Sequence, residues 1–186
     1  SALAATLAVI AAAAGVPSAS SSAGGAASPD STLAAAERLY RAGAPDSALA
    51  LVGPVLAQAI GAGDTGLELK ARLYQASALC ATGKVREGEA TARRALALAR
   101  AAGDSARARM ATRWIGYALL GQGRDDEALV RYRELLERAL AAGDRLNEAY
   151  ARLVLAYREL TAGDSRAAIS GYERAATLFV EVGETG

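Results

Sequence analysis

Residues 103–143 read GDSARARMATRWIGYALLGQGRDDEALVRYRELLERALAAG. Two helical patterns, each about four turns long, meet at Gly123. The opening pair, Gly103-Asp104, occurs forty residues earlier as Gly63-Asp64, forty later as Gly143-Asp144, and in altered form as Gly183-Glu184. The half-way glycine likewise recurs, as Gly43, Gly83, Gly123 and Gly163. One glycine every twenty residues, from 43 to 183, frames the chain. Glycine just past a helix can take the left-handed conformation that closes the last carbonyls, and an aspartate after it can cap the next helix. Each Gly-Asp pair therefore predicts a helix end followed at once by a helix start.

Between the glycines lie runs of Ala, Leu, Arg and Glu, and no proline follows Pro54. Such runs favour helix and contain no breaker. The expected architecture is all-α, a right-handed α-solenoid of about four helix-turn-helix hairpins, at about 31–62, 66–102, 106–142 and 146–182. Pro45-Asp46-Ser47 carries start chemistry for the second helix, with a cap expected in place. Gly53-Pro54, inside that helix, predicts a kink or a short break. Much of the 52% hydrophobic content is alanine. Alanine lets helices approach closely but buries little area per residue.

Composition removes several function classes. A net charge of +1 exerts no global pull on nucleic acid or anionic membrane, although the balance drifts from +3 over residues 64–103 to −2 over residues 144–186. There is no histidine and one cysteine, Cys80, so Ser-His-Asp and Cys-His catalysis, zinc spacing and an internal disulfide all fall away. No phosphate-loop pattern is present, because the glycines stand at the wrong spacing. Asp125, Asp126 and Glu127 cluster at a predicted helix start, where they complement the helix dipole. The expectation is a protein without catalytic activity, cofactor or metal, in which Cys80 is a packed thiol.

The ends carry different signals. Residues 1–15 are almost wholly apolar, long enough for a secretory core and too short to span a bilayer alone. Residues 16–30, rich in Ser, Gly and Pro, read as a disordered linker. The apolar run and the small-residue sites after it carry the expectation of a protein exported to the periplasm or beyond, or anchored by this segment, rather than a cytoplasmic one; the basic leader and the methionine are missing before Ser1, so earlier residues are expected to precede it. At the other end, Leu178, Phe179, Val180 and Val182 should stand partly uncovered. Solenoids need polar caps, so a continuation after Gly186 is expected, or self-association through the last helix.

The third unit resembles the tetratricopeptide repeat in a roughly forty-residue form, through Ile115, Gly116, Leu119, Gly123, Glu127-Ala128, Tyr132 and Leu135. The fourth keeps Leu155, Ala156, Gly163, Ala168, Tyr172 and Ala175 but has Glu159 at an apolar position. The second keeps Ala76, Leu79, Gly83 and Ala95, with Gln75, Gly88 and Ala92 departing from the pattern. The resemblance covers residues 31–186. It implies that the first helix of each hairpin lines a concave groove that receives a peptide or helix. Carried onto this chain, the groove residues are Lys70, Tyr74, Met110, Arg113, Trp114, Tyr117, Tyr150 and Tyr157, with Arg113 and Tyr117 expected to be exposed. The implied function is a protein-protein interaction or scaffolding module with a protein or peptide partner. A sensor arm of a longer enzyme or signalling protein is the alternative, and a self-association module the other.

Overall fold

The computed structural model describes residues 27–184. These form eight helices: α1 Pro29–Arg41, α2 Pro45–Ala62, α3 Thr65–Ala81, α4 Val85–Ala101, α5 Ser105–Gly121, α6 Asp125–Ala142, α7 Arg145–Thr161 and α8 Ser165–Glu184. Each helix packs on the next, giving an all-α helical-repeat solenoid of four hairpins. The apolar segment 1–15 and most of the linker lie outside the described residues. So do Thr185 and Gly186.

The turn chemistry is uniform. Gly43, Gly63, Gly83, Gly103, Gly123, Gly143 and Gly163 all have φ between 66° and 90°. At each of these turns the residue after the glycine donates its N–H to the carbonyl five positions back, as Arg124 does to Leu119 at 3.0 Å and Asp144 to Ala139 at 2.9 Å. This closure satisfies carbonyls that the helix end would leave open. The Gly-Asp pairs then restart the chain: Asp64, Asp104 and Asp144 accept the N–H of Leu67, Arg107 and Asn147 at 2.9, 2.9 and 3.1 Å. Asp164 does the same for Ala167, at 3.0 Å.

Five expectations need correction. Gly183 has no stop function, because α8 continues through it to Glu184. Gly53-Pro54 does not break α2, which runs unbroken from Pro45 to Ala62; both residues are exposed, so the proline ring faces outward where neighbouring helices do not constrain it. The start of α2 has no side-chain cap, since Ala44 occupies the cap position. The linker ends earlier than residue 30, because Ser28 caps α1 through the N–H of Ser31 and Pro29 opens the helix. Leu178 is fully buried, while the exposed apolar residues of α8 are Ile169 and Val180. They lie on one stripe, eleven residues or three turns apart.

Helix order sets the curvature. The first helices of neighbouring hairpins touch, α1 with α3, α3 with α5 and α5 with α7, whereas the second helices make no comparable contact with one another. The first helices therefore crowd along the inner, concave side and the second helices fan out behind.

Core packing inside each hairpin is a matched exchange of volume. Gly116 on α5 leaves room for the ring of Tyr132 on α6, which is 2% exposed. A methyl group at Gly116 would stand 2.8 Å from that ring. In the second hairpin the same two columns hold Ala76 and Ala92, both fully buried, so the loss of the aromatic is balanced by a larger partner. Gly88 similarly clears space for Cys80, whose Sγ would lie 2.6 Å from an added Cβ. Cys80 is buried, and burial pushes its thiol up to about 12. Two of the three departures from the repeat pattern in that hairpin are thus size compensations.

Gly116→Ala should lower stability by about 1–2 kcal/mol, because overpacking against a fixed ring outweighs the roughly 1 kcal/mol helix advantage of alanine. Urea unfolding of the variant, alone and combined with Tyr132→Leu, checks this. The alanine should cost less once the ring is gone, and equal costs in both backgrounds would refute the packing argument.

Candidate functional site

The concave face is built from the inward columns of α1, α3, α5 and α7. The forty-residue period places Lys70, Met110 and Tyr150 in one column, Leu73, Arg113 and Leu153 in the next, then Tyr74, Trp114 and Val154, and then Ser77, Tyr117 and Tyr157. Arg113 is therefore a charge in a leucine column. Both leucines are buried, and so is Arg113, with 9% of its surface exposed. This corrects the expectation of an exposed arginine: the column, read alone, already points inward.

Arg113 lies among rings. Its Cζ stands 4.5 Å from the ring centre of Tyr150 and 5.2 Å from that of Trp114. Trp114 meets Tyr117 at 5.7 Å and Tyr40 at 6.1 Å, both edge-on, and Tyr150 meets Phe179 edge-on at 5.1 Å. Such contacts offset part of the cost of burying the cation, by about 2 kcal/mol when desolvated. No carboxylate among the described residues pairs with it, and Nε and Nη1 are enclosed with no hydrogen-bond partner.

The phenols converge on the same space. Burial raises Tyr40 well above its ordinary range, with the phenol of Tyr150 adding to the effect and Arg113 opposing it. Burial raises Tyr132 in the same way, again opposed by Arg113. Burial also raises Tyr117. Arg113 and the phenols of Tyr40 and Tyr132 are thus near enough to act on one another electrostatically.

The other candidates separate from this cluster. Lys70 is tied to Asp30 of α1 at 2.9 Å, and the Tyr74 hydroxyl donates to Glu37 at 2.9 Å. These two residues join the first hairpin to the second and are engaged within the fold. Met110 packs against the apolar group of Leu69, Leu73 and Ala95. Tyr157, with Leu120, Leu129 and Val154, lines a cavity of about 340 Å³ whose rim carries Asp125, Asp126 and Arg158. The structure thus brings Arg113, Trp114, Tyr117 and Tyr150 together, sets Tyr157 beside a neighbouring cavity, and leaves Lys70, Tyr74 and Met110 in structural contacts.

Tyr40 and Phe179 were absent from the sequence-based groove. For Tyr40 a signal existed, because it occupies the column of Leu120 and Leu160. Among the described residues, no group of three or more Cys, Asp or Glu side chains is placed to hold a metal ion, and no helix is long and apolar enough to cross a membrane.

Arg113→Leu restores the column. An unpaired buried guanidinium costs several kcal/mol in desolvation, more than the stacking returns, and a buried leucine contributes about 2 kcal/mol. Thermal unfolding should show the variant melting several degrees above the parent; a lower midpoint would mean that the cation and its rings act as a structural rivet.

No protein-family model matches the chain, and the search of curated proteins finds no matching sequence.

Proposed function

We propose that the protein is a non-catalytic interaction module of tetratricopeptide-like hairpins that receives a peptide along the concave face. The observation that carries this reading is the cluster of rings around Arg113, formed by α1, α5 and α7, with a cavity beside Tyr157 lined in part by Leu120 of the same α5. Tyr, Trp and Arg supply most of the energy at protein interfaces, and a row of rigid first helices offers them at fixed positions without ordering cost. An extended chain suits a narrow groove of this kind better than a broad folded partner.

Selection of random peptides on the immobilised protein tests the reading. Enriched peptides should bind Tyr157→Ala at least about tenfold more weakly than the parent, with the circular dichroism of the variant unchanged. Peptides that bind both proteins equally would place recognition on another face.

A second reading, self-association through α8, is favoured by the exposed stripe of Ile169 and Val180, each 58% exposed. Sedimentation at rising concentration should show association in the parent and its loss in Val180→Glu. A parent that stays monomeric throughout removes this reading.

A further inference from the structure

The cleft between the third and fourth hairpins differs from the one before it, and the forty-residue period shows how. Between the second and third hairpins the seam is shut at the edge where first helices turn into second ones. Gly121 closes on Val85 so tightly that a methyl group there would stand 2.6 Å from the valine side chain. Beside it Glu89 accepts from Gln122 at 2.7 Å and from Arg124 at 3.0 Å, which latches α4 to the turn that follows α5. One period on, Thr161 stands for Gly121 and Asp125 for Val85, while Leu129, Ala162 and Asp164 replace the three latch residues. The wedge is bulkier there and the latch is gone.

At that place lies the cavity of about 340 Å³. Leu120, Leu129 and Val154 are buried and form its floor with the half-buried Tyr157, whereas Asp125, Asp126, Arg158 and Thr161 are exposed and form its mouth. The mouth therefore opens between the first turn of α6 and the last turn of α7, in the seam between two hairpins. The volume equals that of on the order of ten water molecules, which is room for one ring and a short chain. Apolar walls with a few polar groups at one end are the usual make-up of a small-molecule site.

The mouth also sets the charge of an occupant. α6 opens with Asp125, Asp126 and Glu127. Glu127 is held by Arg124 at 2.7 Å, but the side chains of Asp125 and Asp126 have no ion pair or hydrogen bond among the described residues. A helix start offers about half a positive charge, which leaves most of two carboxylate charges uncompensated. Arg158 is the cation of the lining and stands on the opposite wall, so the balance at the mouth is negative. The face of the Tyr157 ring attracts cations as well.

We propose that this cleft binds a small organic amine, whose apolar body rests on Leu120, Leu129 and Val154 beside the Tyr157 ring and whose ammonium group meets Asp125 and Asp126. The inference goes beyond the peptide reading and does not depend on it, because the ligand is a free small molecule held between two hairpins. An occupant joins α6 to α7, the role that the Glu89 latch plays one hairpin earlier, and so raises the melting temperature.

The test titrates the full chain with phenethylamine, phenylalanine and 3-phenylpropionate, which share a ring and a short chain but are a cation, a zwitterion and an anion at neutral pH. In calorimetry the amine should bind with a Kd below about 1 mM. It should bind at least about tenfold more tightly than the anion, with the zwitterion between them. In methyl NMR spectra the amine should move the resonances of Leu120, Leu129 and Val154 and leave those of Leu33 and Val52 in the first hairpin unchanged. Asp125→Asn combined with Asp126→Asn should bring the amine and the anion to equal affinity, and the comparison of ligands on the parent does not depend on that variant. Equal or tighter binding of the anion, tighter binding of the zwitterion, or shifts confined to other residues would overturn the proposal. Failure of all three molecules to bind would overturn it too, and would leave the peptide reading to its own selection experiment.

Discussion

A left-handed glycine at every twentieth residue is the constraint on which the other features depend. Each one closes its helix through an N–H to a carbonyl five residues back, and a side chain at such a backbone conformation would add strain of about 1 kcal/mol. Because the stops are evenly spaced, α3 to α7 are 17 or 18 residues long, or about 25 Å. Helices of equal length stack with their inward columns in register. That register is what makes the forty-residue columns physical objects, so that Leu73, Arg113 and Leu153 stand in corresponding places on successive first helices.

A second regularity has twice that period. Glu68, Arg72 and Arg94 in the second hairpin are repeated in kind and geometry by Glu148, Arg152 and Arg174 in the fourth, with first contacts of 2.7 Å in both. Glu68 is held below its usual range chiefly by its hydrogen bond from Arg72, which overcomes the effect of burial. The third hairpin has Ala108 and Thr112 in those columns, and its ion pairs move outward. There Glu134 gathers Arg100, Arg131 and Arg138, and Arg109 reaches Asp144 in the next turn. The hairpin with the most aromatic inner face therefore lacks the buried carboxylate of the first helix and gathers arginines on the partly exposed Glu134 instead. Charge on its concave side is left to Arg113.

Local signals made the fold legible, while the site depended on distance through the stack. Gly123 and Asp104 announce their roles within a few residues, because turn closure and capping involve only neighbours in sequence. Gly183 misled because glycine is also tolerated inside a helix, and its residue type alone does not impose the left-handed conformation. Leu178 misled for a different reason: whether a residue of the last helix is buried depends on its angle to α7, which no local pattern encodes. The contact between Tyr40 and Trp114 joins the first hairpin to the third across the second. Period and columns identify which face looks inward, but they do not state how tightly the stack curls.

Alanine supplies that missing quantity. The second hairpin carries Ala71, Ala76, Ala78, Ala92, Ala95 and Ala99 at full burial, where bulkier residues would hold its neighbours apart. Close approach through this hairpin brings α1 and α5 near enough for Tyr40 to meet Trp114 at 6.1 Å. The rings then cover Arg113 from the first-hairpin side while Tyr150 and Phe179 back it from the fourth. Shielding of the guanidinium is thus a consequence of small residues some forty positions away. Shielding also raises the strength of any charge-assisted bond made there, since water competes less in an enclosed site. The same enclosure makes the unpaired cation costly, so a leucine in its place would leave a more stable stack, and the arginine is retained against the stability of its own column.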